Sequence, residues 1–573
     1  MKRSAEEASL LVDRAAESSG GSDGTKNTIA SEDDDGNPHR VSMISSSSSS
    51  LMPSCHQVSS SSLSASSTTT ASSSKTTTKP LYRAVSTMTE DKSTAPPNNN
   101  EMFLTRFVNA RILQRDGSLR RGELTVNSST GIITQIRFDS QQQQQQRQSM
   151  DADTIDHNQI CHTLDCQGMI LCPGFIDIQL NGAYGIDFSN CGSEENAEEG
   201  GLCIDDIFQV ATSLCQSGVT SFCPTMVSSS RDTYRRVIPL MNRARREQQR
   251  LQQQQQQHEN NAKVGANILG MHLEGPFFDP KKRGAHDEQH ILPPSKGIDT
   301  VREVYGLYDN DSDSMNQDVS SSPILENIDI ITLAPELDGA LDATKSLTQT
   351  STRGHKVVVS CGHTGANYEQ GLQAISHGAT LLTHLFNAMN PFHHRKPGLV
   401  GLLSSKSKLA SMGCQRPYFS LIVDGIHVHE SAVCMAYNSH PNGCVLVTDA
   451  MSAMGLGDGS HALGDMSVCI KGDRATLTGT DTLAGSVVSM DTCVRRFQEF
   501  TGCSAGEALL CASLHPANVL NRSVMRERDG IVEAPIGIIE IGAKADLVLL
   551  TDKLNVVGTW VHGRLAYDDM ILM

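Results

Sequence analysis

Apolar residues recur along the middle of the chain in runs of strand length, and each run ends in polar or small residues. Stretches that are compatible with helices fill the gaps, for example at 205–216, 367–376 and 430–439. Eight apolar strands that alternate with helices predict an α/β fold, a (β/α)8 TIM-like barrel. The eight predicted strands are 175–180, 219–224, 268–273, 328–333, 356–361, 380–385, 418–423 and 444–448.

An open, doubly wound sheet is the alternative arrangement for alternating strands and helices. Such a sheet is expected to carry a Gly-rich turn, G-x-G-x-x-G, after its first strand. Residues 179–182 read Gln-Leu-Asn-Gly and contain no such turn. The barrel is therefore the favoured prediction.

Strand patterns without intervening helices flank the barrel on both sides. The predicted flanking strands are 103–113, 122–138, 537–541, 545–550 and 559–566. Because the two flanks can pair with each other, we expect one small β-sandwich domain built from residues 102–170 and 536–573. The barrel, residues 171–535, is then an insertion in that domain.

The remaining segments are too polar to bury a core. Residues 1–101 are mostly Ser, Thr, Asp, Glu, Asn and Gly, which predicts a disordered tail. Three more polar stretches, 141–146, 247–261 and 309–322, interrupt the folded part. We interpret each of them as a surface loop or a ragged helix extension.

Charge and cysteine usage exclude several kinds of partner. The net charge of -17 argues against nucleic acid, although one local Arg still suffices for a small anionic substrate. No apolar run is long enough to span a membrane, and residues 1–13 lack the apolar region of a signal peptide. The 16 Cys include no C-x-x-C pair, and Cys223, Cys361 and Cys444 lie in apolar runs. These features predict a cytosolic protein with reduced cysteines and no membrane partner.

Side chains that can do chemistry stand where the predicted barrel strands end, which is where the active sites of this fold lie. Histidines with only structural roles would not share this position along the strands, so the pattern indicates metal and acid–base chemistry. In strand order these residues are Gln179, Asn181, His272, Glu274, His363, His384, Asp424, His427 and Asp449.

One carboxylate and two imidazoles among them suit a divalent metal. Glu274, His363 and His384 could hold Zn²⁺ or a related ion and leave positions for water. Asp449 could then take the proton of that water and pass it to a leaving amine. Its alternative role is to cap the helix-compatible segment that follows it.

Eight segments in unbroken order carry a family resemblance. They are Pro-Gly-Phe-Ile-Asp-Ile-Gln-Leu-Asn-Gly (173–182), His-Leu-Glu-Gly-Pro-Phe (272–277), Leu-Ala-Pro-Glu (333–336), Gly-His-Thr-Gly-Ala (362–366), Thr-His-Leu-Phe-Asn-Ala-Met (383–389), Asp-Gly-Ile-His-Val (424–428), Val-Thr-Asp-Ala (447–450) and Leu-Ala-Gly-Ser (483–486). Over residues 102–573 the chain resembles the N-acetylglucosamine-6-phosphate deacetylase family of the amidohydrolase superfamily. The resemblance implies a hydrolase of amino-sugar catabolism that releases D-glucosamine 6-phosphate and acetate.

The resemblance also implies a role for individual residues and a homodimeric assembly. Glu274, His363 and His384 would bind the metal, Asp449 would shuttle the proton, and His427 would contact the substrate and polarise its amide carbonyl. A guanidinium fork such as that of Arg395 can bind two phosphate oxygens at once. The other implied substrate contacts are Ala285, His286, Asn387, Ala388, Leu483, Ala484 and Gly485.

Two details of the site refine these expectations. Many amidohydrolases hold a second metal with a His-x-His pair after the first strand, where this chain has Gln179 and Asn181. Neutral amides are poor ligands for such a metal, so we expect one divalent ion, Zn²⁺, per chain. The basic residues 281–283 are interpreted as a solvated turn.

Two other functions remain to be weighed. One is a different amidohydrolase, such as a cyclic amidase or a deacetylase of another amino sugar. Against it, Asn387 and Ala388 with Arg395 favour a phosphorylated sugar, and no Lys stands where a bridging carbamate is expected after Glu274. The other is an inactive barrel that serves as an assembly scaffold; such relatives usually lack the metal ligands, which are present here.

Overall fold

The computed structural model of this chain describes residues 102–139, 159–190, 201–257, 264–307, 327–349, 356–463, 466–528 and 531–569. The predicted disordered tail and the polar stretches at 141–146 and 309–322 lie outside the described residues. The polar stretch at 247–261 continues the helix Arg231–Gln257 up to that residue, so a helix extension is the correct interpretation for its described part.

Eight parallel strands form the barrel, each hydrogen-bonded to the next in chain order. A ninth short strand, Asn267–Ile268, pairs beside the second. Between the eighth and the first strand, Leu180 pairs with Ala450, and the Asp449 N–H donates to the Gln179 carbonyl at 2.9 Å. The predicted barrel is thereby confirmed. The first to eighth barrel strands are Phe175–Leu180, Val219–Met226, Met271–Glu274, Ile328–Leu333, Val358–Cys361, Leu381–Leu382, Tyr418–Ile422 and Cys444–Val447.

Helices pack on the barrel, and several of them bury one face. In the helix Met490–Thr501, for example, the buried residues are Met490, Cys493, Val494 and Phe497, which are spaced three or four apart and so share one face. Among the described residues, no helix is both long and apolar enough to cross a membrane. The helices are Ile204–Leu214, Arg231–Gln257, Ile298–Tyr305, Ala340–Gln349, Tyr368–Ser376, Lys406–Ser411, Glu430–Ser439, Met490–Thr501, Ala505–Ala512 and Leu514–Val519.

A chain of buried hydrogen bonds crosses the barrel interior. His272 Nδ1 donates to the Ile178 carbonyl at 3.0 Å, so His272 Nε2 accepts from the Thr332 hydroxyl at 2.7 Å. Thr332 Oγ1 lies 2.9 Å from Thr383 Oγ1, which lies 2.5 Å from Ser360 Oγ. Burial lowers the pKa of His272 to about 4, so its ring is neutral. His272 is therefore a structural residue of the interior.

The β domain joins the two ends of the described chain. Its central pairing is antiparallel, between Ile170–Pro173 from the first flank and Leu547–Leu550 from the second. This confirms that the flanks form one β unit, while the exact domain boundaries at 170 and 536 stay a prediction. In spatial order the sheet contains Arg564–Asp568, Val556–Val561, Leu547–Leu550, Ile170–Pro173, Met102–Leu113, Leu119–Asn127 and Ile132–Phe138, with Gln159–Asp165 paired to Met102–Leu113.

One predicted strand is wrong, and one small sheet has no counterpart among the predictions. Residues 537–541 form no strand: Gly537 has φ 73°, and a Cβ there would lie 2.6 Å from the Ser513 carbonyl oxygen. This close approach turns the chain against the helix Leu514–Val519. The additional four-stranded sheet contains Gly459–Leu463, Met466–Lys471, Arg474–Leu477 and Leu483–Ser486, and two strand pairs are Gly182–Ala183 with Ile186–Asp187 and Arg526–Arg528 with Ile531–Glu533.

A fully buried carboxylate, Asp177, links the first and eighth barrel strands. It accepts hydrogen bonds from the Thr448 hydroxyl at 2.5 Å and from the Gln179 N–H at 3.2 Å. Burial raises the pKa of Asp177 to about 7, and these hydrogen bonds oppose the shift. Because the folded chain holds this proton more tightly than the unfolded chain does, the proton's contribution to stability is complete below about pH 4 and is lost as pH rises to about 7.

Asp177→Asn should remove this pH dependence, because an amide keeps the shape and carries no charge at any pH. Between pH 4 and 7, the free energy of unfolding of the wild type should fall relative to the variant by up to about 1.4 kcal/mol per pH unit. Above pH 7 the difference should stay constant. Urea denaturation at several pH values measures it, with Asp342→Asn on an exposed helix face as the control. Parallel curves for wild type and Asp177→Asn would contradict this account.

Candidate active site

Three strand ends bring one carboxylate and two imidazoles together. Glu274 ends the third barrel strand, and His363 and His384 each stand two residues after the end of theirs. Glu274 Oε1 lies 3.2 Å from His363 Nε2 and 3.1 Å from His384 Nε2. The two nitrogens are 3.0 Å apart, and all three side chains are buried. The predicted metal ligands thus converge on one point.

Left-handed backbone turns direct these side chains into the barrel mouth. His363 has φ 49°, His384 has φ 29° and Asp449, after the eighth strand, has φ 46°. Residues other than Gly rarely adopt this conformation, because Cβ crowds the backbone there. The chain therefore leaves three strands by a strained turn at the residue whose side chain faces the site.

The tautomer of His363 is fixed by its second nitrogen. His363 Nδ1 lies 3.0 Å from the Lys282 carbonyl, which can only accept, so Nδ1 carries the proton. The ring also stacks on Phe278, with the two centroids 4.2 Å apart. The orientation of the His363 ring is therefore fixed, and its Nε2 is an unprotonated nitrogen that can bind a metal.

Electrostatics in the cluster fit a divalent cation. Burial opposes the charge on Glu274, but its close contacts with His363 and His384 hold its pKa well below the usual range. Burial would lower the pKa of His384, yet its contact with Glu274 raises it. His384 Nδ1 is buried without a hydrogen-bond partner among the described residues. One carboxylate and two imidazole nitrogens at these distances suit Zn²⁺ or a similar ion.

His286 is a fourth candidate ligand that the sequence had assigned to substrate. Glu274, His286 and His363 each offer a ligand atom within 4.8 Å of the others. However, His286 Nδ1 accepts the Ser228 N–H at 3.1 Å, and burial lowers its pKa to about 3. The neutral ring must therefore carry its proton on Nε2, which makes that atom a donor and a poor metal ligand. Glu274, His363 and His384 therefore remain the candidate ligand set.

The two amides that replace a His-x-His pair support the carboxylates of the site. Gln179 Nε2 donates to Glu274 Oε1 at 2.8 Å, and Asn181 Nδ2 donates to Asp449 Oδ1 at 2.8 Å. Burial, followed by the negative charge of Glu274, raises the pKa of Asp449 to about 7. A carboxyl with that pKa can both accept and return a proton near neutral pH.

A second carboxylate orients His427. Asp424 Oδ2 lies 2.5 Å from His427 Nδ1, and Asp424 Oδ1 accepts the N–H groups of Ile426 and His427 at 2.8 Å. Burial raises the pKa of Asp424, but the hydrogen bond and charge of His427, together with the backbone N–H groups of His427 and Ile426, outweigh burial and lower the pKa. With Nδ1 held in this way, His427 Nε2 is the nitrogen left for a ligand.

The residues expected to bind substrate lie on separate loops. Asn387 and Ala388 follow His384 in a turn, where Ala388 has φ 50° and Asn387 Nδ2 is buried without a hydrogen-bond partner among the described residues. Leu483, Ala484 and Gly485 belong to the last strand of the small sheet, and Ser486, the final residue of that strand, pairs with Ala450, next to Asp449.

Two predicted substrate contacts lie on exposed segments. Ala285 is exposed and precedes the buried His286. On its other side is Gly284, which lies close to the site: a Cβ added there would be 3.5 Å from His363 Cε1. Arg395 is also exposed, and no described residue accepts a hydrogen bond from its guanidinium. The structure of this single chain thus places the Ala285 loop beside the metal ligands and leaves Arg395 at the surface.

The solvated turn predicted for 281–283 is wrong for two of its three residues. Lys282 Nζ donates to the Met389 carbonyl at 3.1 Å, and Arg283 Nη1 donates to the His286 carbonyl at 2.9 Å. Three charged residues in a row look like a solvated turn, because a sequence does not show which backbone carbonyls lie within their reach. The segment instead ties three loops of the site together.

Sequence reasoning also missed the residue that holds the His363 loop. Glu336 Oε2 accepts the Thr364 hydroxyl, and Glu336 Oε1 accepts the Gly365 N–H, both at 2.5 Å. The signal was its place in the Leu-Ala-Pro-Glu segment, directly after the fourth strand. Glu336 thus fixes the two residues that follow His363.

Comparisons with known proteins agree with this geometry. The model of the amidohydrolase family matches residues 170–566. An N-acetylglucosamine-6-phosphate deacetylase from Danio rerio is 40% identical over 462 residues, which are 80% of this chain and 96% of the relative. An N-acetylgalactosamine-6-phosphate deacetylase from Escherichia coli O157:H7 is 32% identical over 398 residues, 69% of this chain and 88% of the relative.

A solved structure extends the likeness to the fold. It is a variant of the N-acetyl-D-glucosamine-6-phosphate deacetylase from Mycobacterium smegmatis in complex with N-acetyl-D-glucosamine-6-phosphate. Its TM-score is 0.58 at 25% identity, and the match covers 81% of this chain and 99% of that chain.

The ligand assignment predicts metal content. Purified wild type should contain one divalent ion per chain by elemental analysis. The metal content of His384→Ala should be lower by roughly tenfold or more, because the substitution deletes a ligand. His286→Ala is the matched control and should keep its metal, since its unprotonated nitrogen faces Ser228. Two stoichiometric ions in the wild type, or a metal-free His286→Ala, would overturn the assignment.

Proposed function

The chain belongs to the amidohydrolase family, and we propose that it removes the acetyl group from N-acetylglucosamine 6-phosphate, giving glucosamine 6-phosphate and acetate. The observation that carries the proposal is the convergence of Glu274, His363 and His384 beside Asp449 at the barrel mouth. The relative from Danio rerio, matched over 96% of its length, is named for this reaction.

Glu274, His363 and His384 would hold one divalent ion, which we propose to be Zn²⁺. When bound, such an ion makes hydroxide available near neutral pH and polarises a carbonyl. Gln179 contributes an N–H donor to Glu274 and no ligand atom, which supports a single ion per chain.

Asp449 is proposed as the proton carrier. Its raised pKa lets it take a proton from the attacking water and return it to the amine as the C–N bond breaks. Asn181 supports this role, because its amide holds one carboxylate oxygen of Asp449 in place at 2.8 Å. The products are then acetate and a free amine.

Two histidines are proposed to contact the acetylated sugar. His427, with Nδ1 held by Asp424, would present Nε2 and polarise the amide carbonyl. His286, with Nδ1 facing Ser228, would present its Nε2–H as a donor. Both assignments follow from the partner of the other ring nitrogen.

The sugar phosphate is proposed to lie against Asn387, Ala388 and Arg395. The unpartnered amide nitrogen of Asn387 supports this, since a phosphate oxygen would accept from it. Ala285, Leu483, Ala484 and Gly485 are proposed to contact the rest of the sugar.

The alternatives are weaker for specific reasons. Six relatives that are 37–40% identical are all named for N-acetylglucosamine 6-phosphate, which favours the glucosamine epimer. An inactive scaffold would have no need for the complete ligand set that converges here. A cytosolic location and a homodimer stay predictions from the sequence.

Specificity for the phosphate gives the first test of this proposal. If Arg395 binds the 6-phosphate, Arg395→Ala should lower kcat/KM for the phosphorylated sugar by roughly tenfold to several hundredfold, since a charge-assisted bidentate contact contributes about 1.5–3 kcal/mol. The free sugar should be affected little. Lys396→Ala, on the same exposed loop, is the control for general charge. An equal loss on both sugars would show that the phosphate assignment is wrong.

Proton transfer gives the second test. Asp449→Asn should lower kcat with little change in KM, because metal and substrate contacts remain while the proton carrier is lost; such a group typically contributes about 10²–10⁴-fold. Asn181→Ala, which keeps the carboxylate and removes only its amide donor, should lose less. Steady-state kinetics of acetate release measure both. A KM effect without a kcat effect would assign Asp449 to binding.

A further inference from the structure

A second polar pocket lies at the opposite end of the barrel from the active site. It is a small cavity that opens to solvent. Ser221 and Asn267 line it from the amino-terminal parts of their strands, where the active-site residues are absent. The segments at 522–536 and Lys544 complete its wall.

Cations outnumber carboxylates in the lining. Arg522, Arg526 and Lys544 face Glu533, which lies 2.5 Å from Arg526 Nη2 and 3.8 Å from Arg522 Nη1. Behind them, Asp329 Oδ2 accepts from Arg522 Nη2 at 2.8 Å. Arg522 is 8% exposed, and its Nε has no hydrogen-bond partner among the described residues. A buried guanidinium with an unused donor is costly unless something accepts from it.

Lys544 is the cation that no direct ion pair neutralises. Among the described residues, none accepts a hydrogen bond from its ammonium group. The nearby carboxylate Asp546 is already engaged, because it accepts from the His562 N–H at 2.8 Å and from Asn267 Nδ2 at 3.1 Å. Burial lowers the pKa of Lys544, and the charges of Asp546 and Glu533 offset this only in part.

We propose that this pocket is a binding site for a phosphate group, either inorganic phosphate or the phosphate monoester of a small metabolite. Arg522, Arg526, Lys544 and Ser221 bring guanidinium, ammonium and hydroxyl donors to one lining, and a phosphate has enough oxygens to accept from several of them. Arg522 pairs with Asp329 and Arg526 with Glu533, so Lys544 is the cation of the lining that is left for the anion. The site is separate from the active site and does not depend on the proposed reaction.

Thermal unfolding in the presence of inorganic phosphate tests the site. Phosphate at about tenfold above its dissociation constant should raise the Tm of the wild type by on the order of 1–3 °C over chloride of equal ionic strength. Lys544→Met should lose this shift, because it removes the unneutralised cation. In chloride its Tm should equal or exceed that of the wild type. Lys345→Met, which replaces an exposed Lys, should keep the shift.

Glycerol 3-phosphate separates the two sources of the ligand. A larger Tm shift than with inorganic phosphate indicates a metabolite-borne group, and an equal shift indicates the free anion. A phosphate shift that persists in Lys544→Met places binding elsewhere, including the active site, and overturns the proposal. The absence of any shift in the wild type overturns it as well.

A labelling experiment covers the case in which Lys544→Met does not fold. Wild-type protein is treated with an amine-reactive ester, with and without inorganic phosphate, and modified lysines are located by mass spectrometry. Phosphate should slow the modification of Lys544 several-fold and leave Lys345 unchanged. Equal rates at Lys544 under both conditions would refute the site.

Discussion

The burial of one negative charge organises the active site. Glu274 is 2% exposed, and a carboxylate in such a place is unfavourable unless donors or a cation surround it. His363, His384 and Gln179 all direct a nitrogen at the same oxygen of Glu274. Each of these residues comes from a different barrel strand, so the charge is satisfied only when the ring of strands is complete. Folding of the barrel and assembly of the site are therefore one event.

The amides of Gln179 and Asn181 show how different side chains at the end of a strand give that position a different role in the site. A His-x-His pair would bring two further ligands to the mouth, whereas these amides donate to Glu274 and Asp449. Both carboxylates are then held in a fixed orientation by these amide donors. The same two positions thus change from holding a metal to holding the groups that use one.

The pattern of apolar residues predicted the strands whose residues are buried along their whole length. It predicted a strand wrongly where the backbone departs from regular strand geometry. The strands at 175–180 and 328–333 appear with the predicted bounds, because a strand buried on both faces is apolar throughout. The apolar segment 537–541 forms no strand, because a close approach at Gly537 outweighs its pattern. Candidate ligands could be proposed from strand ends, but the tautomer of His286 depends on which of its atoms faces Ser228. Contacts of that kind, between segments 58 residues apart, have no signal in a single sequence.

The left-handed turns at His363, His384 and Asp449 connect the activity of the protein to the stability effect of substitutions at these positions. Each costs roughly 1 kcal/mol or more that the surrounding barrel must offset, and Gly would adopt the same conformation without that cost. Selection for thermal resistance alone would therefore favour replacing the residues proposed to do the chemistry. In an engineering campaign that ignores turnover, the most stabilised descendants of this protein would be inert barrels with glycines at their mouths.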